Sequence, residues 1–402
     1  MSLYVQRGYR FNRGVANLCK RQPITEEQLH HWKSIKSFRA ILARVYEKAD
    51  LGPTFVDSRR KLGYDSYLSL FLLGLYNPVV NSMRGLCGAS HLPRVQEVIG
   101  GPAVSLGSFS EMQSVLEPEL LYSLFVDLAE QIKAQGCEDP RLARLDLVAQ
   151  DGSLWRALPR MGWAEYGVGP TGEAKGVRLH LRFHLVRNVP CDARVSAGRG
   201  CERQALRQML KAGQINVGDR LYGKDYRLFG EVAEAKAFFV FRLNSDTVIH
   251  EQQSLPIDGQ DRACGVVRHA WVSLGAHEDK RSIRLRLVEI RNSNHHLLLA
   301  TNLPVEQATA ELVGVIYRRR WQIELFFRWI KCILGNRHFL AESPRGVAIQ
   351  LYLALIASLL LQLYTQRRPN KRQLEAIQFY MMGWASEGEL LQMLKRAEPK
   401  KA

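Results

Sequence analysis

Three acidic residues and a short run of cations offer the most chemistry in this chain. Asp151 and Asp219 each follow a short apolar run at a glycine-containing turn, in Ala149-Gln150-Asp151-Gly152 and Val217-Gly218-Asp219. Carboxylates at strand ends project into the crevice of a sheet, where ligands of α/β proteins bind. Glu324 lies in a third segment, with Tyr317, Arg320, Trp321 and Lys331, that reads as part of one helix from about 306 to 334. At about 100° per residue, with Tyr317 at zero, Arg320 falls near −60°, Glu324 near −20° and Lys331 near −40°. One carboxylate flanked by a phenol and two cations then shares a narrow stripe. Spacing alone leaves two readings open: a solvated stripe held by i,i+4 pairs such as Arg320–Glu324, or one wall of a site.

The two aspartates favour the second. Together with Glu324 they could hold two hard divalent ions, because magnesium takes few carboxylates and keeps water and phosphate oxygens as its other ligands. Two ions about 4 Å apart stabilise both the attacking and the leaving oxygen of a phosphoryl displacement. Asp146 and Asp225 are weaker candidates. The first points to the other face of a regular strand, and the second suits a helix start, where an acid is routinely stabilising.

With those residues in view the chain resembles the DDE transposases of bacterial insertion sequences, in the branch with a Tyr-Arg-Glu-Lys signature. The resemblance rests on Asp151-Gly-Ser, Asp219-Arg-Leu-Tyr-Gly and the spacing Tyr317-x2-Arg320-x3-Glu324-x6-Lys331, and it covers roughly residues 145–335. It implies an RNase H-like core with a β-rich insertion before the helix that bears the glutamate. It implies Asp151, Asp219 and Glu324 as ligands of two Mg2+ ions, with Mn2+ as a substitute. Tyr317, Arg320 and Lys331 would contact phosphates of the element's ends, with Trp321 beside them. The implied activity is metal-dependent cleavage at those ends and transfer of the freed 3′-hydroxyl into target DNA. The implied partners are double-stranded DNA, as terminal inverted repeats and target, and a second copy of the chain. Relatives often hold a flipped base with a tryptophan of the insertion. Here the insertion has Trp271, but its late strand reads Asn294-His295-His296-Leu297.

The elements that must position these groups read as an α/β protein: a mixed sheet flanked by helices, interrupted by the insertion, with helical ends. Residues 1–140 read as an all-helical, DNA-binding domain. Thr25–Gln28 and Ser108–Glu111 have capping-box spacing, and an apolar helix over Tyr67–Tyr76 stops at Asn77-Pro78. The catalytic domain is expected over 141–345. Strands are expected at Leu145–Ala149, Arg178–Val186, Ala193–Ala197, Ile215–Val217 and Phe238–Leu243, with helices over Glu202–Lys211 and Tyr226–Ala237. Residues 245–303 read as β-rich material without a helix. Residues 346–402 form a helical segment suited to oligomerisation.

Length and composition fit this picture. The chain has 402 residues, 46% hydrophobic and 24% charged, which excludes pervasive disorder and collagen or coiled-coil classes. The net charge of +17 is uneven: residues 1–61 hold 13 basic and 5 acidic side chains, and residues 317–402 hold 15 and 6. Residues 62–316 balance at 28 each. Charge focused at the two ends points to a polyanion such as nucleic acid. The 7 cysteines are scattered with no CxxC pair, which suits a reducing cytosol; the resemblance implies a bacterial, nucleoid-associated protein. The polar, basic start has no apolar core of a signal peptide. The apolar stretch Ala348–Tyr364 reads as a buried or subunit-contact helix, with no membrane partner expected.

No HExxH spacing occurs, His180 and His184 alternate on a strand as one polar face, Ser153 lacks a GxSxG context, and the loop Gly167–Gly172 lacks a P-loop lysine. Two rivals to the transposase reading remain at this stage. One is an RNase H-type nuclease that cuts without joining. The other is a catalytically silent, transposase-derived DNA binder, against which the acidic triad counts.

Overall fold

The computed structural model describes residues 62–396, apart from 78, 81, 135–138, 170–171, 277–283, 293–294, 334–337 and 366. The basic segment 1–61, with the Thr25–Gln28 spacing, lies outside the described residues, as does the tail from 397. Five helices come first: α1 (Tyr64–Tyr76), α2 (Met83–Ala89), α3 (Pro93–Ile99), α4 (Leu106–Val115) and α5 (Pro118–Gln131). As expected, α1 ends where Asn77 turns extended ahead of proline. The cap of α4 is Ser105, whose hydroxyl accepts from the Ser108 N–H, so the helix begins three residues earlier than the Ser108–Glu111 spacing implied.

The sheet follows: β1 (Leu147–Arg156), β2 (Glu165–Gly169), β3 (Gly172–His184), β4 (Val189–Ala197), α6 (Glu202–Met209), β5 (Ile215–Gly218), α7 (Arg220–Gly223), α8 (Tyr226–Glu234) and β6 (Phe238–Arg242). Strands β1, β3 and β4 form an antiparallel meander, and β5 and β6 run parallel to β1 through helical crossovers. The resulting order β4-β3-β1-β5-β6 is the RNase H-like core. Its local logic is ordinary. β5 is buried along its whole length, as a parallel central strand should be. The turn into β4 uses Asn188 at φ 55, a left-handed position that asparagine tolerates.

The insertion holds β7 (Ile249–Ser254), α9 (Gly259–Ala263), β8 (Val266–Leu274), β9 (Leu285–Asn292) and β10 (His295–Thr301). Two features depart from the expectation. A short helix, α9, does intervene; Asp258 and Asp261 open it with a capping box. The insertion also extends the same sheet, because β10 pairs with β6 and carries β9, β8 and β7 outward, giving ten strands in all. Alternation along these strands builds two cores. Phe239 and Phe241 face one apolar cluster with Leu285 and Leu287, while Val240, Val288 and Ile290 face the other.

The chain closes with α10 (Ala310–Arg319), α11 (Trp321–Arg328), a π-turn (Trp329–Ile333), α12 (Pro344–Thr365), α13 (Lys371–Met381) and α14 (Glu387–Arg396). α12 is long and apolar enough to cross a membrane, yet 89% of its most apolar window is buried within the protein. Its polar interruption Gln350 is satisfied there: it accepts from the Leu340 N–H at 2.8 Å and donates to His338 O at 2.7 Å. From α1 the Tyr76 hydroxyl donates to Ala357 O at 2.6 Å. One apolar cluster thus joins the early helices, one face of the sheet and the closing helices.

Leu355 is fully buried in α12. Leu355→Ala should therefore lower unfolding free energy by about 2–5 kcal/mol in urea without detergent. A helix whose side chains face lipid would instead leave the protein aggregated until detergent is added.

Candidate active site

Asp151 does not terminate its strand. It sits inside β1, paired with Leu181 of β3. The crevice arises because β5 is short: its pairing with β1 ends at Ala149–Val217, so the next residues of β1 have a partner on one side only. Continuing that register sets Asp219 level with Asp151 and on the same sheet face. Asp219 itself follows β5 as expected, and its Oδ1 accepts from the Leu221 N–H at 2.8 Å, capping α7. Asp225 is engaged elsewhere. It caps α8 and pairs with Arg207 at 2.8 Å. Asp146 accepts from Gln214 at the opposite end of β1.

The expected helix over 306–334 is interrupted twice, which corrects the single stripe. At Arg320 two tight bonds span only three residues, Arg320 N–H to Tyr317 O and Ile323 N–H to Arg320 O. At Trp329–Ile333 the backbone widens into a π-turn. Each break changes the phase of the side chains that follow. Tyr317, ahead of both breaks, is buried, only 7% exposed, and packs in the core with the Arg320 guanidinium 5.9 Å from its ring. Trp321 points outward at 58% exposure. Lys331 crosses to β1, where Nζ donates to Leu154 O at 2.6 Å and lies 4.2 Å from the centre of the Trp155 ring. Phe326 and Phe327 seat α11 on the sheet through Phe183 and Trp155.

Arg320 is the hinge of the site. It pairs with Glu324 one turn away and with Asp151 Oδ2 at 3.7 Å. One guanidinium thus joins the strand carboxylate to the helix carboxylate. Asp151 shows the strain of the arrangement. Burial, followed by the Glu202 carboxylate, pushes its carboxyl up to about 7; Arg320 pulls it back and Asp219 adds to the rise. Lys331 is held below the usual lysine range by burial.

Glu202 was not evident from the sequence, where it is one more acid in the first turn of a helix. It lies on the far face of β1 in an ion pair with Arg178 and is held above the ordinary glutamate range, first by burial. Nothing short of the strand register, which brings α6 against Gly152, could have singled it out.

All the donors gathered here are hard carboxylate oxygens, the set that suits Mg2+ or Mn2+ and not zinc. A buried carboxyl raised by its neighbours is what a divalent cation would relieve. Among the described residues, however, no three His, Cys, Asp or Glu side chains stand close enough to share one ion. Any ion held here would be shared by at most two of Asp151, Asp219 and Glu324 as they stand.

A family model described as "Transposase DDE domain" matches residues 143–360. The probable transposase for insertion sequence element IS5377 of Geobacillus stearothermophilus is 31% identical over 211 residues, 52% of this chain and 54% of that protein. Transposase y4zB of Sinorhizobium fredii is 30% identical over 208 residues, 50% of this chain and 56% of the other. The chain thus spans about half the length of the curated relatives it matches. The piggyBac transposase in its synaptic complex with hairpin DNA is a remote structural neighbour, at TM-score 0.43 and 10% identity over 96% of this chain and 85% of that one.

The raised Asp151 carboxyl sets a sign for stability. Folded, it keeps its proton up to about pH 7, whereas the unfolded chain loses it near 3.8. Between those values the folded state binds the extra proton, so stability falls as pH rises through the window. Metal-free Asp151→Asn should melt above the parent at pH 8, with the gap closing toward pH 4. A parent that melts higher at pH 8 contradicts this electrostatic picture.

Proposed function

This chain belongs to the transposase DDE-domain family, and on that premise we propose that it cuts an insertion sequence at its ends and joins the freed ends to target DNA. The reading is supported above all by Arg320 bridging Asp151 and Glu324 while Asp219 stands level with Asp151 one strand away. Two divalent ions, Mg2+ or Mn2+, would supply Lewis acidity to the attacking and leaving oxygens. Asp151, Asp219 and Glu324 would hold them. The chain's own groups do the rest. Arg320 pairs with both Asp151 and Glu324 and would face the phosphate on which they act. Trp321, exposed beside it, offers a flat apolar surface to the DNA. Tyr317 supports Arg320 from beneath instead of touching phosphate, and Lys331 fixes the Leu154–Trp155 edge along which the strand passes.

The division of labour follows the expected boundaries. Residues 1–140, with the basic first 61, bind the terminal repeats; 141–345 carry the chemistry, with the insertion over about 245–303. Residues 346–402 pair two protomers, for which the stacked and exposed Phe379 and Trp384 provide an apolar contact. Such a protein acts on chromosomal DNA in the bacterial cytoplasm. Joining distinguishes it from a nuclease, and cleavage distinguishes it from a silent binder.

Asp151→Ala, Asp219→Ala and Glu324→Ala should each abolish cleavage of a duplex carrying the element's end while retaining end binding. Near-parental cleavage by Asp219→Ala in magnesium overturns the triad. Arg320→Lys keeps the charge but loses the planar fork, and should slow cleavage with little change in melting temperature. If Arg320 neutralises a phosphate, Arg320→Ala should also reduce the salt slope of duplex binding by about 0.9. Parental cleavage and slope in both variants return Arg320 to the role of a helix-surface ion pair.

A further inference from the structure

Asp151 is approached from both faces of the sheet. On one face lie Arg320 and Glu324. On the other lies α6, whose first residue is Glu202, and the strand between them has no side chain at position 152. Register makes this placement firm. Gly152 pairs with His180 and Leu154 with Arg178, so these four share the face turned to α6, while Asp151 and Leu181 share the opposite one. A Cβ built on Gly152 would stand 2.8 Å from Glu202 Cγ and closer still to the carboxyl group. The glycine is a window in β1, and the Glu202 carboxylate fills it. Its placement is fixed from behind. Arg178 pairs with the carboxylate and donates from Nε to Gly198 O at 3.1 Å, and the Gly152 N–H beside it donates to Asp151 Oδ1 at 2.8 Å. Side-chain exposures of 19% for Arg178 and 10% for Glu202 put the pair largely out of solvent.

We propose that Glu202 is a positioning residue for Asp151: clamped by Arg178 and seated in the Gly152 window, it holds the Asp151–Gly152 peptide so that the Asp151 carboxylate is aimed at a divalent cation. This rests on the metal-site reading above. The Arg178 partner offsets the charge of Glu202, so its contribution is the geometry it imposes. Groups that orient a metal ligand commonly change affinity by about 10- to 100-fold when removed.

The test is Mn2+ binding alone, without DNA, to the full chain by calorimetry and electron paramagnetic resonance, alongside melting temperature. Glu202→Ala should weaken Mn2+ binding by about 10- to 100-fold. Glu202→Gln, which retains the shape and an acceptor for Arg178, should stay close to the parent. Gly152→Ala displaces Glu202 and should reproduce the loss. In the double variant the clash has no partner, so Gly152→Ala should add little to Glu202→Ala. Unchanged Mn2+ affinity in Glu202→Ala, with only a lower melting temperature, overturns the proposal in favour of a purely structural ion pair. Equal losses in the Gln and Ala variants overturn it in favour of a direct ligand. Asp151→Asn serves as the reference: if it binds Mn2+ like the parent, the metal-site reading itself fails, an outcome separate from any result at Glu202.

Discussion

Like charges held close together in a partly dry crevice are the constraint around which this structure is arranged. Asp151 and Asp219 reach the same level of two adjacent strands because β5 stops short of β1. Glu202 approaches from beneath and Glu324 from above. Carboxylates in such a place repel one another and lose hydration, so the fold must supply a cation. Without ions it supplies Arg320, which bridges the helix and the strand. Under the proposed function, ions would take over this role and leave the guanidinium to a phosphate.

Delivering Arg320 and Glu324 to that point is the task of the helices after the insertion. Thr309 caps α10, and the Glu311 N–H donates to Asp261 Oδ1 at 2.7 Å, which ties the start of α10 to α9 of the insertion. Arg141, just ahead of β1, pairs with Glu311 at 2.8 Å. Because the insertion continues the core sheet through β10, its position is fixed by backbone pairing and not by a flexible stalk. The tight turn at Arg320 and the π-turn after Arg328 then let one helical run serve three purposes: Tyr317 in the core, Arg320 and Glu324 at the carboxylates, and Lys331 on β1. π-turns inside α-helices occur frequently at functional sites.

Much of this was legible in the residues. Alternation in Arg178–His184 and the buried run Ile215–Val217 identify strands, because period-two burial and short apolar runs have few other solutions. The spacing of Tyr317, Arg320, Glu324 and Lys331 implies one shared stripe, but an ideal 100° rotation could not foresee two breaks in hydrogen bonding, and Tyr317 and Lys331 lie off that stripe. Asp151 looked like a strand end since the apolar run stops at Ala149; the Gln150–Ser153 interruption falls where the strand loses one neighbour, which depends on the length of β5. Strand β7, with mostly exposed side chains, has no apolar pattern to read. Glu202 was invisible for a similar reason, since its importance lies in a register between distant segments.

The central claim is that Asp151, Asp219 and Glu324 together hold divalent ions. Anomalous diffraction from crystals of the full chain soaked in Mn2+ tests it most directly. The account predicts manganese peaks at ligand distance from Asp151, shared with Asp219 on one side and Glu324 on the other, and their loss in Asp151→Asn. Peaks only at other sites, or peaks that persist unchanged in Asp151→Asn, would contradict it.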